Sequence, residues 1–261
     1  LSVLADLADL VLPSPCAGCG AERVPLRHGA CTECAARLEA LRPFRTAPTP
    51  PPPGMPPCVA VGAYAGPLRG ALLAYKERGR HRLARPLGAL LATAVAGLAP
   101  RRQPVVLIPV PSTAAARRER YGDHMTRLAA HAVRRLRAAG WEADISHPLE
   151  ALPRPDSTSL SVSGRRAAAE SSLRIRRARI GFPRRATPRK GTLVVVDDIV
   201  TTGATLAAVT GRLEEAEMQV TGAAVLAATQ LRRSSRGGIA GLSPRGTEKV
   251  ERPASGIPNE G

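Results

Sequence analysis

Asp197 and Asp198 stand side by side after an apolar run, Leu193 to Val196, and Thr201-Thr202-Gly203-Ala204-Thr205 follows closely. The run reads as a buried strand that ends at the acids, and the Ala-rich stretch beyond reads as a helix. A strand, a tight turn and a helix N-terminus aim several backbone N–H groups at one point. Three threonine hydroxyls join them, and such a place holds a phosphate. Gly203 lets the backbone close around the anion with no Cβ in the way. The acids would repel a phosphate; as acceptors they suit two neighbouring hydroxyls of a polyol. A phosphorylated sugar satisfies both halves of the stretch, and a plain surface turn with solvated acids is the alternative.

A second chemistry lies near the start of the chain. Cys16-Ala-Gly-Cys19 and Cys31-Thr-Glu-Cys34 are two C-x₂-C turns. Two residues between cysteines let a tight turn point both sulfurs at one ion, and two such turns supply the four sulfurs that zinc prefers. With no position left open, the zinc would be structural, and its binding would stabilise a segment with too little apolar surface to fold alone. Two disulfides or an iron–sulfur cluster are the alternative uses of the same cysteines. Cys58 stands apart and reads as a core residue.

The segment Leu107-Ile108-Pro109-Val110-Pro111-Ser112-Thr113 is an apolar strand that ends in a proline-locked turn with two hydroxyls. Arginines follow at 117, 118 and 120, and again at 154, 165 and 166. Guanidinium groups grip phosphate oxygens bidentately, and a mobile loop over 150–180 that carries Arg165 and Arg166 could close over a ligand. Taken singly, each of these arginines reads as a solvated surface charge.

Strands and helices must position these groups. Strands are expected at Val59–Tyr64, Val105–Val110, Ala143–Ser146, Thr192–Val196 and Val220–Ala227. Helices are expected at Leu68–Glu77, Leu83–Leu98, Met125–Ala139 and Ala204–Ala216. The alternation implies a parallel sheet with right-handed crossovers, flanked by helices, with ligands at the carboxyl ends of the strands. Ahead of it, residues 1–45 hold a short amphipathic helix (1–12) and the cysteine module. The proline-rich stretch 46–57 cannot form a helix or a central strand and reads as a semi-rigid linker. Residues 58–229 form the α/β domain, and 230–261 read as a disordered basic tail.

Composition sets the outer bounds. Of 38 basic residues, Lys76, Lys190 and Lys249 are the only lysines, and the net charge is +17. Such a surface attracts nucleic acid, anionic membranes or phosphorylated metabolites, although a general bias toward Ala, Arg, Gly and Pro would produce the same excess. Aromatic residues make up only 2%, so Ala, Val and Leu must pack the core. The longest uncharged apolar run, Leu87 to Ala99, falls short of the ~20 residues that cross a bilayer. No basic leader precedes the first apolar stretch, so a cytoplasmic protein without membrane insertion is the expectation.

The stretch from Leu193 to Leu206 resembles the signature with which type I phosphoribosyltransferases bind 5-phosphoribosyl 1-diphosphate (PRPP). With the four cysteines ahead of it, Tyr64…Leu68-Arg69…Tyr75-Lys76, Pro109-Val110-Pro111 and Leu152-x-Arg154 in order, the chain is similar to the ComF family over about residues 8–229. That resemblance implies a type I phosphoribosyltransferase-like fold behind a zinc-binding segment, and a link to competence and the uptake of single-stranded DNA. It implies PRPP or another phosphorylated ribose at Asp197, Asp198, Thr201, Thr202, Gly203, Ala204 and Thr205. It places the pyrophosphate end at Ser112 and Thr113, with Mg²⁺. Asp197, Asp198, Arg165 and Arg166 would serve the reaction. The chain departs from the family pattern at Tyr121-Gly122, where the glycine usually comes first, and at Ser157 and Ala168, where polar amides are usual. A single-stranded nucleic-acid-binding accessory protein that keeps the fold is the competing reading; only six aromatic side chains are available for base stacking.

Overall fold

The computed structural model describes residues 14–100, 103–120, 122–152, 172–176 and 191–229. Six strands form the central sheet. They are β3 (Phe44–Thr46), β4 (Cys58–Ala63), β5 (Val105–Pro109), β6 (Ala143–Ile145), β9 (Thr192–Val200) and β10 (Val220–Ala228), in the order β3-β4-β10-β9-β5-β6. All neighbours run parallel except the edge strand β3, which pairs antiparallel with β4. The four strands β4, β5, β9 and β10 are built from small and β-branched apolar residues, as befits a parallel sheet buried on both faces.

The helices are α1 (Thr32–Glu39), α2 (Gly66–Glu77), α3 (Ala84–Ala96), α4 (Ala114–Glu119), α5 (His124–Ala138) and α6 (Ala204–Glu214). The connection from β4 to β5 passes through α2 and α3, and that from β5 to β6 through α4 and α5. Leu72, Leu87, Leu91 and Leu128 of α2, α3 and α5 pack with Val61, Leu107, Val194 and Val196 on one face of the sheet. From β9 to β10 the chain winds back the other way, and α6 accordingly lies on the opposite face. There Leu206, Val209 and Leu213 pack with Ala60, Ile108, Val195 and Val225. Neighbouring strands β5 and β9 thus send their connections in opposite directions. The crevice at their carboxyl ends is where ligands bind in such sheets.

The cysteine region comprises a two-stranded ribbon, β1 (Leu26–Arg27) with β2 (Ala30–Cys31), and then α1. It contacts the sheet domain directly. A Cβ on Gly70 of α2 would overlap the carbonyl oxygens of Gly18 and Ala17. Arg80 Nη1 donates to Pro15 O at 2.5 Å, and Leu38 is part of the main core. Of the stretch expected as a linker, 46–57, Thr46 closes the edge strand β3, while 47–57 forms no helix or strand, as its composition requires. Pro52 to Met55 make a turn closed by Met55 N to Pro52 O at 3.2 Å, with Gly54 at φ +75°.

Helix α4 and the edge strand β3 have no counterpart among the expected elements; the expected ones differ in their bounds by a few residues, with larger differences at two places. Strand β9 does not stop at the acids but runs through them to Val200, because its ladder with β10 continues through Ala227–Ile199 and Ala228–Val200. Within the segment expected as a loop, β7 (Leu149–Ala151) and β8 (Leu173–Ile175) pair antiparallel, and Leu149 and Leu173 join the core on the α6 side. Three-residue strands are too short to show a period of two. The helix expected over 1–12, the tail 230–261, and the loop positions 153–171 and 177–190 lie outside the described residues. Among the described residues no helix is long and apolar enough to cross a membrane.

Two Gly-to-Ala substitutions should have opposite effects. Gly70→Ala forces a methyl against the backbone of residues 17–18, and overpacking of this kind costs about 1–3 kcal/mol. The melting temperature should fall by roughly 3–10 °C. Gly211→Ala, in α6 with open space around it, should be neutral or raise it by a degree or more, since alanine favours a helix by roughly 0.5–1 kcal/mol. Thermal denaturation of both variants checks the pair.

Candidate phosphate and sugar site with a cysteine cluster

Two loops meet at the crevice. The loop after β9 is Thr201-Thr202-Gly203, with both threonines exposed, and it leads straight into α6. Gly203 occupies the N-cap position at φ +74° and has no side chain to satisfy the first N–H groups of the helix. Thr202 Oγ1 accepts from Ala204 N at 3.4 Å. Open N–H groups at a helix start attract an anion. The turn of the proline stretch touches this loop: a Cβ on Gly203 would lie 2.5 Å from Met55 Sδ and 3.2 Å from Pro52 Cδ.

The loop after β5, Val110 to Thr113, lies alongside, with Ser112 half-buried. Thr113 Oγ1 is engaged as the cap of α4, accepting from Ala116 N at 3.2 Å. Asp123 likewise caps α5 through Thr126 N at 3.0 Å. These are the roles of two polar residues whose spacing alone did not reveal them.

The two acids diverge. Side chains alternate along a strand, so Asp197 follows Val195 onto the α6 face and Asp198 follows Val196 onto the face of α2 and α5. Asp197 Oδ1 accepts from Asp198 N at 2.9 Å. Asp198 is buried, and its Oδ2 lies 2.6 Å from Lys76 Nζ and 3.4 Å from His124 Nε2. Burial works against the Asp198 carboxylate, but the His124 hydrogen bond and the Lys76 ammonium outweigh it and hold its pKa at about 2. Desolvation and the charge of Asp198 push Asp197 well above the usual carboxylate range. Of the two acids, Asp198 is the one whose negative charge its surroundings favour.

Lys76 and His124 come from the C-terminal end of α2 and the first turn of α5. Tyr75 Oη donates to His124 O at 2.8 Å, and His124 Nδ1 lies 3.4 Å from Ser112 Oγ. Sequence reasoning assigned neither His124 nor Lys76 to the site. The one available signal was the Tyr75-Lys76 pair, noted only as part of a resemblance. Arg165 and Arg166 lie outside the described residues.

The four sulfurs of Cys16, Cys19, Cys31 and Cys34 lie within 4.8 Å of one another, and all four cysteines are free thiols. Cys19 Sγ and Cys31 Sγ are 3.9 Å apart, and four thiolates in a tetrahedron around one ion stand about 3.8 Å apart. Gly18 N and Cys31 N both donate to Cys16 Sγ, at 3.4 and 3.2 Å. Burial opposes the Cys16 thiolate, but backbone N–H groups of Cys19, Cys31 and Gly18 lower it to about 6. Burial and then the three neighbouring sulfurs push Cys34 up. A set of sulfurs crowded this way fits a cation at its centre.

Residues 127–238 match the family model of the phosphoribosyl transferase domain. The match begins within α5 and takes in β9, the Thr201–Gly203 loop, α6 and β10; the cysteine cluster, α2 and the Ser112 loop precede it. A comparison with curated proteins finds no match. Sheet order, flanking helices and matched segment agree: the fold is α/β, a mainly parallel sheet flanked by helices, with a segment similar to the phosphoribosyl transferase domain and a cysteine cluster near the N-terminus.

Proposed function

We propose that the chain binds PRPP, as its Mg²⁺ complex, across the carboxyl ends of β5 and β9 and transfers the phosphoribosyl group to an acceptor. The observation that carries this reading is the meeting of four features at one switch point. They are the open N-terminus of α6, the Thr201–Thr205 loop, the acids Asp197 and Asp198, and the Ser112 loop. The helix start and the threonine hydroxyls would hold the 5-phosphate. The two acids would meet the ribose hydroxyls. Ser112 and Thr113 would face the pyrophosphate, whose departure leaves a cationic, oxocarbenium-like sugar. Mg²⁺ enters with the substrate and offsets its charge; Arg165 and Arg166 would add to that.

The layout is that of a ComF-like protein: cysteine module 1–45, connector 46–57, phosphoribosyltransferase-like domain 58–229 and basic tail 230–261. A cytoplasmic role beside the machinery of DNA uptake belongs to the same proposal. The four cysteines would hold a structural zinc, since four protein sulfurs leave no position for a substrate.

Isothermal titration with PRPP and Mg²⁺ tests the site. In Asp197→Ala/Asp198→Ala, hydrogen bonds to charged acceptors are lost at about 1.5–3 kcal/mol each. Affinity should fall at least about tenfold, and unchanged affinity in a folded double variant rules the assignment out. Pyrophosphate release with candidate amine and base acceptors then tests turnover. Metal analysis should find one zinc per chain, lost in Cys31→Ser; metal-free protein with all four thiols reduced contradicts the zinc assignment.

The charge of +17 favours a second activity, binding of single-stranded nucleic acid. With so few aromatic residues it should be electrostatic and sequence-tolerant. Log K should fall with log salt by about 0.7 per phosphate contact. Tight binding that persists in high salt, measured by fluorescence anisotropy on oligonucleotides of mixed sequence, contradicts this.

A further inference from the structure

Among the described residues, His124 is a buried side chain that faces both halves of the crevice. Its Nε2 lies 3.4 Å from Asp198 Oδ2 on β9, and its Nδ1 lies 3.4 Å from Ser112 Oγ on the loop after β5. The residue is 8% exposed and its placement is fixed at three points. Asp123 caps the helix immediately before it. Tyr75 Oη donates to its carbonyl. Asp198 is itself held by Lys76 at 2.6 Å. Strand β9, the loop after β5, α2 and α5 therefore meet around His124, the first two on its ring.

The hydrogen-bonding inventory dictates how the ring must work. A carboxylate only accepts, so Nε2 must be the N–H that faces Asp198. In a neutral ring Nδ1 is then an acceptor, and the Ser112 hydroxyl donates to it. A phosphate oxygen that approaches Ser112 competes for that same hydroxyl proton. One ring thus lies between the Ser112 hydroxyl and the acid on the other side.

We propose that His124 is a positioning residue that couples the pyrophosphate-facing hydroxyl of Ser112 to the sugar-facing carboxylate of Asp198, so that the two ends of the substrate bind as a unit. The proposal rests on the PRPP reading and deepens it: the site recognises a sugar phosphate and a diphosphate jointly, through a residue that touches neither directly.

A double-mutant cycle on the full-length, metal-loaded chain tests this, with PRPP–Mg²⁺ and, separately, ribose 5-phosphate as titrants. His124→Leu removes both contacts, and PRPP affinity should drop about tenfold, the effect of losing a hydrogen bond to a charged group. Ser112→Ala should cost several-fold in the wild-type background and little in the His124→Leu background, because the path between the two is already broken. His124→Gln should recover most of the affinity, since a terminal amide presents a donor and an acceptor at about the spacing of the two ring nitrogens. His124→Asn, too short to reach both partners, should not recover it. This last pair carries the test even if the leucine variant fails to fold. Ribose 5-phosphate, which lacks the diphosphate, should respond to His124→Leu but not to Ser112→Ala. Additive effects of the two substitutions, or equal affinities for the Gln and Asn variants, overturn the coupling while leaving PRPP binding intact. A wild-type chain that binds neither titrant overturns the PRPP reading and the coupling with it.

Discussion

A carboxylate taken out of water must meet positive charge, and Asp198 is where this fold faces that requirement. An unpaired buried ion would cost several kcal/mol even after local relaxation. Lys76 from α2 supplies the charge, and His124 from α5 faces the same oxygen with its Nε2. Both helices lie on the face of the sheet that Asp198 points to, and both reach β9 where the two acids interrupt its apolar run. The ion pair therefore fixes more than a charge. It sets where two helices end and begin relative to the strand, and with them the loops that frame the crevice.

The rest of the framework is built with short side chains. With aromatic residues at 2% of the chain, bulk cannot separate the layers, and backbones approach closely instead. At Gly88 a Cβ would meet Leu128 O at 2.8 Å, and at Gly222 it would meet Pro57 O at 2.9 Å. The Gly70–Gly18 contact belongs to the same set, and it brings the cysteine region onto the helix whose last turn carries Tyr75 and Lys76. Alanines such as Ala71, Ala92, Ala129 and Ala224 fill the thin space that remains.

What was legible in the sequence follows from the range of each interaction. The inner parallel strands β4, β10, β9 and β5 announced themselves as apolar runs because both faces of each are largely buried. The cysteine pairs and the Thr201–Thr205 turn are local, and local spacing fixes their geometry. The divergence of Asp197 and Asp198 was implicit in strand alternation, but only once the strand was known to run through them. His124 was hidden because its meaning depends on Ser112 and Asp198, which reach it through the tertiary fold. Lys76 was hidden for the same reason, and among many arginines its charge drew no attention. The β7–β8 ribbon and the edge strand β3 are too short to carry a periodic signal at all.

Glycine is usually read as freedom, a residue placed where the chain must bend. Gly18, Gly70, Gly88 and Gly222 have no unusual φ to explain them; each sits where a second segment leaves no room for a methyl group. In a chain whose default filler is alanine, the difference between the two residues becomes a record of distance. Read that way, these glycines mark contact points between backbone segments remote in sequence, much as paired cysteines mark a covalent bridge.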